Sequence, residues 1–117
     1  YPDPTLMAEG DLRLDIPRFS TENYPKNKAL INRFKELARA KSVPVSAMAM
    51  AWVLQRGAGF VPIPGTRTAA HLMEWVRADE VALSDADMAR IEAVLPVGFA
   101  RGDRYSYTHM RTIERYC

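Results

Sequence analysis

The run Phe60-Val61-Pro62-Ile63, closed by Pro64-Gly65, limits most strictly what this chain can fold into. It is short, apolar and uninterrupted, as expected for a strand buried on both faces. Helical periodicity governs nearly everything around it. Leu30, Ile31, Phe34, Leu37 and Ala38 form one apolar stripe and predict a helix over 26–41. Pro25 fits its first turn, and Ser42 to Pro44 end it. Val45, Met48, Ala49, Trp52 and Val53 predict a second helix over about 45–55. Ala47, Met50 and Ala51 on its opposite face make it buried nearly all round, and Gly57 and Gly59 stop it. Thr68 is a good N-cap for a third helix reaching about Ala78, with Leu72, Met73 and Val76 inward. Ser84-Asp85-Ala86-Asp87 opens a fourth in the manner of a capping box, with a stripe of Met88, Ile91 and Leu95. The expectation is four helices and one strand. A lone strand has no neighbour for its backbone donors and acceptors, and burying them unpaired is costly. Helix, buried strand, helix indicates α/β architecture, which needs parallel strands alongside. The chain reads as a slice of a larger fold.

The flanks differ in character. Residues 1–25 hold Pro2, Pro4, Pro17 and Pro25 with Gly10, Asp3, Asp11 and Asp15, and predict a long irregular loop. Long loops in compact domains are usually functional or disordered. Beyond Pro96 the residues are polar and aromatic, and a tail with little internal structure is expected. The chain opens Tyr1-Pro2-Asp3-Pro4 without an initiator methionine, so either the true N-terminus has been removed or only part of a polypeptide is present.

Composition narrows the function classes. Hydrophobic residues make up 48% and charged residues 26%, which argues against disorder. A net charge of +2 gives no reason to expect nucleic acid or an anionic membrane as partner. The longest apolar run, Ala47 to Leu54, falls far short of the ~20 residues of a membrane helix, and no secretory signal is visible. Cys117 is the only cysteine, so no intramolecular disulfide can form and a reducing compartment, the cytoplasm, is expected. His109 has no partner at metal-ligand spacing, and Cys117 has no base near it in sequence.

Several segments, in order and spacing, resemble the bacterial and plant aldo-keto reductases from about Gly10 to Pro96. They are Pro17-Arg18-Phe19 with Glu22-Asn23 and Lys26-Asn27, and Ala49-Met50-Ala51-Trp52-Val53-Leu54. They continue with Val61-Pro62-Ile63-Pro64-Gly65-Thr66-Arg67, His71-Leu72, and Leu83-Ser84 with the acidic residues that follow. The resemblance implies the C-terminal part of a (β/α)8 barrel. Residues 60–63 would be its last strand, 26–95 the last helices and strand, 1–25 a cofactor-covering loop, and 96–117 a tail. It implies NADP as cofactor and a small-molecule carbonyl as substrate. Barrel sites lie at the C-terminal ends of the strands, where Gly65 to Thr68 falls. A helix N-terminus attracts anions, and arginine holds phosphate by charge-assisted bonds. By resemblance Gly65, Thr66, Arg67, His71 and Glu74 surround the adenosine 2′-phosphate and base, with Arg13 a further phosphate contact. Trp75 stands where the family usually has an asparagine that contacts adenine; it cannot make the amide's paired bonds but can stack on the base.

The family's catalytic tyrosine, lysine, aspartate and histidine come from the first half of the barrel. No tyrosine or lysine here stands in those motif contexts, so none is assigned a catalytic role, and this segment is not expected to catalyse alone. On the residues themselves plainer readings stay open. Gly65-Thr66-Arg67 suits an ordinary turn with a surface arginine, His71 a solvated helix position, and Glu74 an offset to the helix dipole. Phe99, Tyr105, Tyr107 and Tyr116 suit either a substrate pocket or the outside of the barrel. The competing functions are a stand-alone helical binding module and an inactive truncated remnant. A DNA-reading helix-turn-helix is disfavoured because the second helix is too apolar to read base edges.

Overall fold

The computed structural model describes residues 3–111 and divides into two compact units, residues 1–32 with 95–117, and residues 33–94. In the first unit the proline-rich start is not irregular. It forms three short 3-10 turns, Pro4–Leu6, Leu12–Asp15 and Pro17–Phe19. Asp3 and Asp11 cap the first two by accepting from Thr5 N and Arg13 N at 3.1 and 3.0 Å. Ser20 Oγ accepts from Asn23 N at 3.2 Å, and helix α1 (Asn23–Ala40) starts there, three residues before the sequence expectation. Pro25 is tolerated because the first-turn N–H groups have no intrahelical partner. The tail holds one helical turn, α5 (Tyr107–Met110), whose Met110 is the only buried apolar residue of this unit among those described.

In the second unit the expected stripe of α1 is found, with Phe34 and Ala38 buried. The helix ends in a Schellman motif: Ser42 takes φ 55°, Val43 N donates to Ala38 O at 3.1 Å and Ser42 N to Arg39 O at 2.9 Å. Helix α2 (Val45–Leu54) buries Ala47, Met48 and Ala51 against α3 (Ala69–Trp75) and the 3-10 turn Ala78–Glu80. Residues 45–53 are all buried or half-buried and Leu54 alone is exposed, so the helix is covered nearly all round, as expected. Helix α3 stops at Trp75 instead of about Ala78, and Met73 and Val76 face outward. The inward residue is Ala78, in the turn that follows. Helix α4 (Asp85–Val94) starts with the anticipated capping box: Ser84 N donates to Asp87 Oδ2 at 3.0 Å, and Asp87 N to Ser84 Oγ at 3.2 Å.

The strand at 60–63 is not found. Residues 60–66 are neither helical nor paired, and the run is exposed, Val61 by 79% and Ile63 by 93%. A strand exists only as one half of a ladder, and no described segment offers this run a partner. No helix among the described residues is long and apolar enough to cross a membrane.

Candidate functional site

The candidate residues of the second unit lie on one turn and one short helix. Thr68 leaves the turn in extended conformation (φ −140°, ψ 151°), and its hydroxyl accepts from His71 N at 3.2 Å. Thr66 Oγ1 donates to Thr68 O at 3.2 Å, which folds the turn back on the helix start. Thr68 O also accepts from Leu72 N. The N–H groups of Ala69 and Ala70 therefore stand ahead of the helical ladder. A Cβ placed on Gly65 would meet nothing within 4 Å, so the backbone there is open to close approach.

Arg67 is exposed, and its guanidinium makes no hydrogen bond or ion pair among the described residues. The donors at this turn are thus an exposed cation, two first-turn amides and the Thr68 hydroxyl, a set suited to an anion. His71, Glu74 and Trp75 stand at i, i+3 and i+4 and share one face of α3. His71 and Glu74 are exposed and Trp75 half-buried. Glu74 is tied back to α2, its Oε2 accepting from Ser46 Oγ at 3.1 Å. Nothing in the sequence pattern marks Ser46 for that part; a serine in the first turn of an apolar helix is the one available hint.

Arg13 belongs to the first unit. It forms a two-pronged pair with Asp11, Nε to Oδ1 at 2.9 Å and Nη2 to Oδ2 at 2.5 Å. Those bonds, and the one from Arg13 N, hold the Asp11 carboxyl down at about 2. The pair commits two of the guanidinium's donors locally. A groove of about 460 Å³ in the second unit runs past Lys41, Ala47, Met73, Arg77 and Glu80 and shares only Glu74 with the candidate set. Its cations are already matched, Lys41 with Asp87 at 2.7 Å and Arg77 with Glu80 at 2.5 Å. No group of His, Cys, Asp and Glu able to hold a metal ion occurs among the described residues.

Comparison with known proteins defines the class. The model of the Aldo/keto reductase family matches residues 5–96, and the chain belongs to that family. Among curated proteins it is 34% identical over 105 residues to aldo-keto reductase yakc of Schizosaccharomyces pombe, whose name specifies NADP(+). That match covers 90% of this chain and 31% of the relative. It is 40% identical over 89 residues to probable aldo-keto reductase 1 of Glycine max (76% of this chain, 26% of the relative). It is 32% identical over 115 residues to an aldo-keto reductase of Gibberella moniliformis (98% and 35%). The chain thus spans about a third of the length of the curated relatives it matches. No solved structure matches it significantly.

Proposed function

We propose that this chain is the C-terminal segment of an NADPH-dependent oxidoreductase that reduces aldehydes or ketones to alcohols, and that it supplies the clamp on the adenosine 2′-phosphate. The observation that carries the reading is the exposed, unengaged guanidinium of Arg67 beside the start of α3. The guanidinium takes the dianionic phosphate in a bidentate, charge-assisted contact, while Thr66 holds the turn through its bond to Thr68 O. The open backbone at Gly65 lets the phosphate approach without steric conflict. His71, Glu74 and Trp75 line the adenine side, with Trp75 stacking where an amide would otherwise bond. Arg13 contributes a phosphate contact from the 1–25 segment, which serves as the cofactor-covering loop. Residues 26–95 then form the last helices and strand of a (β/α)8 barrel, and 96–117 its tail.

NADPH supplies the hydride when bound; this chain's residues hold the cofactor and perform no proton transfer. The carbonyl substrate and the remainder of the barrel are the partners, and cytoplasmic placement follows for such an enzyme. Family membership across residues 5–96 does not favour a stand-alone helical module.

The test is a fluorescence titration of the full-length protein with NADPH and with NADH. Arg67→Ala should weaken NADPH by ~1–3 kcal/mol, the usual worth of a charge-assisted contact, and leave NADH nearly unchanged. Unaltered NADPH affinity would remove Arg67 from the site and with it the clamp.

A further inference from the structure

Glu74 is held differently from the carboxylates that match the groove's cations. Glu80 Oε1 accepts from Arg77 Nε at 2.7 Å, and Asp87 Oδ2 accepts from Lys41 Nζ at 2.7 Å. Glu74 takes no cation among the described residues. Its Oε2 accepts from the hydroxyl of Ser46 at 3.1 Å, and its Oε1 accepts no hydrogen bond among those residues. Arg77, three residues on, is committed to Glu80 instead. A carboxylate with a neutral donor on one oxygen and no cation keeps its charge for an N–H donor brought to the other.

Ser46 is suited to aim that free oxygen. A glutamate side chain is long and rich in rotamers, and an exposed one scatters unless something holds it. A serine side chain is short, and this one sits in the first turn of α2, next to Ala47 and Met48, which are buried where α2 packs on α3. The core therefore places the hydroxyl, and the hydroxyl places the carboxylate, across 28 positions of sequence. Ser46 stands outside the segments that carried the family resemblance and outside the set of residues read as facing the cofactor.

We propose that Ser46 is the positioning residue that lets Glu74 select an amino purine over a keto purine, on the face it shares with His71 and Trp75. The exocyclic amine of adenine donates to Glu74 Oε1. A keto purine brings a carbonyl oxygen to the same place, where acceptor meets acceptor. The proposal rests on the NADPH reading above and deepens it by assigning base selectivity to a residue of α2.

The experiment titrates the full-length protein by fluorescence with NADPH and with its hypoxanthine counterpart, in which a carbonyl replaces the adenine amine. Wild type should favour NADPH. Ser46→Ala should narrow that preference about fivefold, the scale of one net hydrogen bond, and Ser46→Thr, which keeps the hydroxyl, should restore it. Glu74→Gln should favour the hypoxanthine form, because Ser46 holds the amide oxygen and turns the NH2 group to the base. Adding Ser46→Ala should abolish that reversal, since the amide is then free to flip. An unchanged preference in Ser46→Ala overturns the proposal. So does an equal weakening of both dinucleotides, which marks a general loosening of α3 rather than a lost orientation. Wild type that binds NADPH yet does not distinguish the bases overturns the proposal too and leaves the Arg67 clamp standing. Wild type that binds no NADPH overturns the cofactor reading and this proposal together.

Discussion

Ser42 closes α1 with a left-handed backbone that L side chains adopt at some cost, in a position where glycine is the usual occupant. The Schellman bonds to Ala38 and Arg39 hold it there. Ser42→Gly should therefore raise stability by about 0.5–1 kcal/mol in chemical denaturation, since the strain removed outweighs the added freedom of the unfolded chain. A drop in stability would mean that the serine earns its place through a contact the backbone does not reveal. This position was not legible in the sequence, where Ser42 read only as part of a helix end. Thr68 and Ser84 were legible, because a side-chain cap is a local event written within three residues. Gln55 was not. Its Nε2 donates to Val81 O at 2.8 Å and its Oε1 accepts from Leu83 N at 3.1 Å, a bracket across 26 and 28 positions that no periodicity encodes.

Among the elements, α4 depends on Asp87 more than its length suggests. The carboxyl accepts from Lys41 Nζ at 2.7 Å and from both the hydroxyl and the backbone amide of Ser84. The Lys41 bond first, and the Ser84 bonds after it, hold it well below its ordinary value of 3.8. A group whose folded value is depressed stabilises the fold above its unfolded value, and that stability is lost as pH falls towards the folded one. Stability should therefore fall with acid from about pH 4 downward, and more steeply in wild type than in Asp87→Asn. Equal acid slopes in pH-dependent denaturation of the two proteins would show that the pair does not govern α4. Helix positions were readable because each stripe recurs within a single segment, as Phe34 and Ala38 do in α1. Which faces are covered was less so. Met73 and Val76 had the right spacing to point inward, but the helix ends early and the next turn brings in Ala78 instead.

For the whole molecule the informative segment is the uncovered run at 60–63. The apolar pattern was legible in Phe60, Val61 and Ile63, whereas burial and pairing were not, because they belong to two segments and the run carries only its own half. The candidate clamp shows the same division: Gly65 to Trp75 could be named from the sequence, while the tether of Glu74 to Ser46 required the packing of α2 on α3. Exposed apolar runs with unpaired backbone associate. The 117-residue chain should accordingly self-associate in sedimentation velocity, and Ile63→Lys should return it towards monomer. A wild-type chain that stays monomeric at high concentration would show the run to be harmless.

The prolines set a bound on that association. Pro62 and Pro64 carry no N–H, and alternate residues of an extended segment address opposite edges. Phe60 N already donates to Gly57 O at 3.1 Å, so the remaining hydrogen-bond donors leave this run on one side only, from Val61, Ile63 and Gly65. One edge can zip to a neighbour in full, and the other can merely accept. A segment with that asymmetry can join one strand firmly yet cannot template an indefinite stack, so its exposure carries a dimer's risk rather than a fibre's.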